Sequence, residues 1–65
     1  MTASELRRGI QILTSYFEDN EPMPMSAEHD KLWLGGEALR LTAPHIKELQ
    51  ALGFEASDLG WMVNL

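Results

Sequence analysis

Two histidines in this 65-residue chain each stand near a carboxylate. His29 precedes Asp30, and His45 lies three residues before Glu48, a spacing that brings side chains together on a helix. Imidazole and carboxylate together serve metal binding and acid–base catalysis. Here the two pairs fall on separate elements and neither completes a closed ligand set, so no metal and no cofactor is expected. His29-Asp30 reads as a local hydrogen bond that fixes the entry to a strand, and His45 as a partly exposed residue in a first helical turn.

Nucleophilic catalysis is poorly served. There is no cysteine, and Ser4, Ser15, Ser26 and Ser57 occupy cap, helix or turn contexts without a nucleophile elbow. Gly35-Gly36 lacks the lysine and the following helix of a phosphate loop. A domain this small also has little room for an enzyme-sized pocket. The expectation is a protein that acts by binding and not by catalysis.

The other chemistry on offer is charge. Ten acidic residues face five basic ones, for a net charge of -5. The placement matters more than the sum: Gly9 to Asp30 holds Glu18, Asp19, Glu21, Glu28 and Asp30 with no Lys or Arg. Such a segment repels phosphate backbones and attracts basic protein surfaces, which disfavours direct DNA or RNA binding. The candidate partner-binding residues are therefore these five carboxylates together with Trp33. The alternative is an acidic loop that only aids solvation.

A first helix over residues 4–18 must position the acidic run, because Leu6, Ile10, Leu13 and Phe17 share one stripe. Thr2 and Glu5 have capping-box spacing. Ile12 and Tyr16 flank the stripe, either widening the core or meeting a partner. Gly9 weakens the helix by about 1 kcal/mol relative to Ala unless it permits close packing. Pro22 and Pro24 place the end near Asp19-Asn20, followed by an extended connection whose Met23 and Met25 either cover the core or stay exposed.

Lys31–Leu34 alternates as a strand, with Leu32 and Leu34 on one face and Trp33 on the other. Gly35-Gly36 supplies turn residues, after which Ala38–Leu41 reads as the returning strand. Thr42 as N-cap, Pro44 in the first turn and Gly53 as C-terminal cap delimit a second helix over 43–52. Phe54–Ala56 and Trp61–Leu65 alternate around Ser57-Asp58-Leu59-Gly60, with Trp61, Val63 and Leu65 on one face and Trp33 and Trp61 as cross-strand neighbours.

The order helix, hairpin, helix, hairpin predicts an α+β fold, with two helices packed on one face of a small antiparallel sheet. Residues 1–65 make a single domain, too short to divide its apolar residues between two cores. Without disulfides or a zinc site, packing or self-association must stabilise it, so monomer and homodimer both remain open. The absence of cysteine, of a secretory leader and of any long apolar run predicts a cytoplasmic protein with no membrane association.

Glu28-His29-Asp30-Lys31-Leu32-Trp33-Leu34-Gly35, with Leu49, Leu52-Gly53-Phe54 and Gly60-Trp61-Met62, resembles small phage and prophage proteins. In those, a His-Asp pair leads into an aromatic strand and a helix ends in Leu-Gly-aromatic. In size and acidity the chain is also similar to phage anti-defence proteins, including anti-CRISPR proteins, some of which mimic DNA. The resemblance implies a small inhibitor that binds a basic protein partner, for example a nucleic-acid-binding defence complex, with mimicry of nucleic acid as one mechanism. The alternative is a non-enzymatic interaction module or homodimeric adaptor that uses an apolar surface, either the Ile12-Tyr16 flank or Trp33.

Overall fold

A computed structural model describes residues 1–37 and 39–65. The chain runs α1 (Ala3–Thr14), β1 (Met25–Glu28), β2 (Lys31–Gly35), α2 (Ala43–Leu52), β3 (Glu55–Ser57) and β4 (Gly60–Asn64). The four strands form one antiparallel sheet in the order β1-β2-β4-β3. This is the α+β arrangement the sequence predicts, with a helix before each hairpin.

α1 begins in a full capping box. Glu5 N–H donates to Thr2 Oγ1 at 3.1 Å, and Thr2 N–H donates to Glu5 Oε1 at 2.8 Å. The helix stops at Thr14 and not near residue 18. There the Thr14 hydroxyl donates to Gln11 O and the Ser15 hydroxyl to Ile12 O, at 3.2 and 2.6 Å. The Tyr16 and Phe17 N–H groups then donate to Leu13 O and Thr14 O, three residues back. Side-chain hydroxyls competing for helix carbonyls end the helix before the prolines act.

The buried face of α1 is rotated from the expected stripe. Gly9, Ile12 and Leu13 are buried, while Leu6, Ile10 and Tyr16 pack partly buried against the core. Ile12 thus belongs to the interior and offers no surface to a partner. Gly9 is where Phe54 enters: a Cβ there would stand 2.2 Å from the Phe54 ring. With Leu34, Leu49, Trp61 and Val63 these residues form one core between helices and sheet.

The first hairpin differs from expectation. Lys31–Gly35 pairs with Met25–Glu28, and His29-Asp30 is the connecting turn, with His29 at φ 56°. Leu39 to Leu41 form no strand, and Ala38 lies outside the described residues. Gly35 and Gly36, at φ 92° and 74°, steer the chain out of the sheet toward α2. Leu39 and Leu41 still pack against the core, but from irregular backbone.

α2 matches its expected limits, and Gly53 closes it at φ 100° while Phe54 N–H donates to Leu49 O at 2.9 Å. Thr42 at its N-cap makes no side-chain cap bond. The Thr42 N–H donates instead to the Tyr16 hydroxyl at 3.0 Å. The second hairpin turns at Asp58-Leu59, close to expectation. Leu65 is largely exposed at the end of β4, although Trp61 and Val63 of the same face are buried.

Candidate functional site

Strand register divides the residues between two faces. Ala27, Leu32, Leu34, Ala56, Trp61 and Val63 take the helix side. A row of Ser26, Trp33, Met62 and Glu55 crosses the opposite side, and a second row runs Glu28, Lys31, Asn64. Trp33 and Met62 are half-buried, and neither belongs to the core cluster among the described residues. Both helices lie on the other face, so the indole sits at the centre of an uncovered sheet surface.

The bonding phase sharpens this picture. Gly35 N–H donates to Pro24 O at 2.9 Å, which makes 24/35 a hydrogen-bonded pair and, by alternation, 26/33 and 28/31 as well. Trp33 therefore meets Met62 in the closer kind of antiparallel pair, with Cα atoms about 4.5 Å apart. A thioether beside an indole contributes about 0.3–1.5 kcal/mol. Trp33 and Trp61 lie on opposite faces, because Trp61 stands across from Leu34. The expected cross-strand tryptophan pair is not formed.

At one end of this face Glu28, His29, Asp30, Lys31 and Trp33 line a shallow cleft of about 360 Å³. The His29 side chain is 86% exposed, with Glu28 Oε1 3.7 Å from its Nε2. The histidine is thus the turn itself and not a hydrogen-bonded entry to the strand. Asp30 contributes its main-chain oxygen, which accepts from Leu65 N–H.

The five acidic candidates are all exposed but divide into two groups. Glu18, Asp19 and Glu21 occupy the turn after α1, where Glu21 Oε1 accepts from Glu18 N–H at 3.0 Å. Glu28 and Asp30 sit at the far end of β1. In the chain, residues 22–24 and the strand residues Met25, Ser26 and Ala27 stand between the two groups. Lys31 stands directly opposite Glu28. A cation thus stands beside the second acidic group.

The second histidine is engaged elsewhere. His45 Nδ1 lies 2.6 Å from the Tyr16 hydroxyl, and the rings meet edge to face with centroids 5.4 Å apart. Glu48 is held by Arg8 in a two-pronged pair at 2.6 and 2.9 Å. That pairing holds the Glu48 carboxyl below its ordinary range and raises the Arg8 guanidinium. Among the described residues no cluster of three or more His, Cys, Asp or Glu is placed to hold a metal. No described helix is long and apolar enough to cross a membrane.

Sequence reasoning found Trp33 from strand alternation but missed Met62, Ser26 and Glu55 beside it. It also missed the Tyr16–His45–Thr42 junction, which joins residues 26 and 29 positions apart that no local pattern links. Comparison with protein families, curated proteins and solved structures finds no match to this chain.

Proposed function

We propose that this chain is a non-catalytic protein-binding domain that engages a basic partner surface through its open sheet face. Trp33 is the anchor, supported by Met62, and Glu28, Asp30 and Glu55 are rim carboxylates that select for cationic neighbours. The observation that carries the reading is a half-buried tryptophan on the side of the sheet away from the helices. Tryptophan with an apolar neighbour inside a polar rim is the usual composition of a binding hot spot. Rim charges contribute mainly to association rate and partner choice.

A second reading is the inhibitor that the resemblance implies, an anti-CRISPR or other anti-defence protein displacing nucleic acid from a basic groove. The exposure of all five carboxylates and the net charge of -5 favour it. Two separated acidic groups, one with Lys31 across from it, suit rim selection better than a continuous phosphate-like track.

Capture from host lysate at low and high salt distinguishes the two. Under the first reading, Trp33→Ala abolishes retention of the partner, while neutralising Glu18, Asp19, Glu21, Glu28 and Asp30 weakens it. Under the second, the neutralised protein loses all retention and Trp33→Ala keeps it. Equal retention by Trp33→Ala and the unaltered protein overturns the anchor.

A further inference from the structure

β1 is an edge strand, and the bonding phase shows what its open side presents. Pairs 24/35, 26/33 and 28/31 direct the main-chain groups of Ser26 and Glu28 toward β2. The N–H and C=O of Met25 and Ala27 therefore point away from the sheet. Among the described residues neither donates to nor accepts from another element. All four residues of β1 are exposed, and Met25 is 66% exposed. Met25–Glu28 contains no Lys, Pro or bulge, devices that commonly blunt an edge.

The side chains around this edge specify what it accepts. Met25 and Ala27 lie on the helix-side face, yet no helix covers them, so a strand added here would meet apolar atoms on that face. On the other face it would meet Ser26 and Glu28. A cleft of about 350 Å³ lined by Pro24, Met25, Ser26, Glu37, Asp58 and Leu59 lies at the Met25 end on the β2 side of the strand, away from the open edge. Glu28 is the carboxylate on the edge strand itself, in a chain of net charge -5. Lys31 lies across β1 from the open side.

We propose that the free edge of β1 binds an extended segment of another protein by strand addition, the segment alternating apolar and basic residues. Its apolar residues pack beside Met25 and Ala27, and its lysines or arginines lie along the Ser26–Glu28 side. A second copy of this chain is the poorer occupant. Two-fold pairing of β1 with itself would bring together two chains that each carry a net charge of -5. The inference goes beyond the Trp33 surface and does not require it.

The probe is a terminally blocked synthetic peptide of alternating lysine and valine, titrated into the intact protein and followed by amide hydrogen exchange and NMR. Met25 and Ala27 amides gain protection, and binding weakens severalfold from ~0.1 to ~1 M salt as the Debye length falls from ~10 to ~3 Å. Ala27→Pro removes an outward N–H without breaking the β1–β2 ladder and weakens binding by about tenfold. Methylating alternate peptide nitrogens gives the same loss with the protein unaltered, which keeps the test valid if Ala27→Pro misfolds. Unprotected Met25 and Ala27 amides, or equal binding of a glutamate–valine peptide, overturn the proposal. Loss with Trp33→Ala but not Ala27→Pro moves the peptide to the sheet face and also overturns it. A dimer that Ala27→Pro dissolves overturns it in favour of self-pairing.

Discussion

The Tyr16 hydroxyl lies 2.6 Å from His45 Nδ1 and accepts the Thr42 N–H at 3.0 Å, so one phenol joins the exit of α1 to the entry of α2. The Thr42 hydroxyl lies 3.3 Å from the same oxygen. The phenol thereby takes a main-chain donor that an N-cap side chain leaves to other partners. The Arg8–Glu48 pair ties the same two helices farther along. The helices are thus held to each other as well as to the sheet, leaving the far sheet face uncovered.

Tyr16→Phe should keep the fold and lower its stability by about 1–2 kcal/mol, because the Thr42 N–H and His45 Nδ1 both lose a partner. In a domain this size that corresponds to a fall in melting temperature of several degrees, about 4–8 °C per kcal/mol. Thermal unfolding followed by circular dichroism measures it. An unchanged midpoint would mean that water replaces the phenol without cost.

Gly9→Ala sets helix propensity against packing. The gain in propensity is about 1 kcal/mol. The new methyl would stand 2.2 and 2.3 Å from two atoms of the Phe54 ring, which is 1% exposed and enclosed by the core. Overpacking of this kind costs roughly 1–3 kcal/mol, so the substitution should destabilise. The loss should shrink in a Phe54→Leu background, and a double-mutant cycle in urea that shows strict additivity would reject the contact.

Acid should weaken the fold through two carboxylates. The Thr2 main-chain N–H, then its hydroxyl, holds the Glu5 carboxyl below its ordinary value of 4.5, and hydrogen bonds from Arg8 do the same for Glu48. A carboxyl depressed in the folded state contributes stability above its unfolded value and loses it as pH falls through the folded one. Urea midpoints should therefore decline below about pH 4.5. Both groups are near the surface and screened by solvent, so each contribution is small. The double variant Glu5→Gln with Glu48→Gln should show a shallower decline, and an identical acid profile would remove these groups from the account.

Much of this fold is legible in the chain because the signals are local. The Thr2–Glu5 box, Pro44 in the first turn of α2 and Gly53 at its end act within a few residues, and the α2 limits follow from them. Alternation alone puts Trp33 on the far side of the strand from Leu32 and Leu34, and the register agrees. The acidic residues were also legible as exposed, since carboxylates without partners are costly to bury.

What only the tertiary structure decided depends on strand partners and register. β1 is invisible as a strand because an edge strand exposed on both faces has no hydrophobic alternation to mark it, and Gly35-Gly36 imitates a hairpin turn. Once β1 pairs with β2, the acidic run is split along a strand, and His29-Asp30 becomes a turn. The same register sets Trp33 against Met62 and aims the Met25 and Ala27 main chain outward. Residue types determined which groups this protein could present, but pairing between distant segments determined which of them stand together, because main-chain hydrogen bonds carry no residue identity.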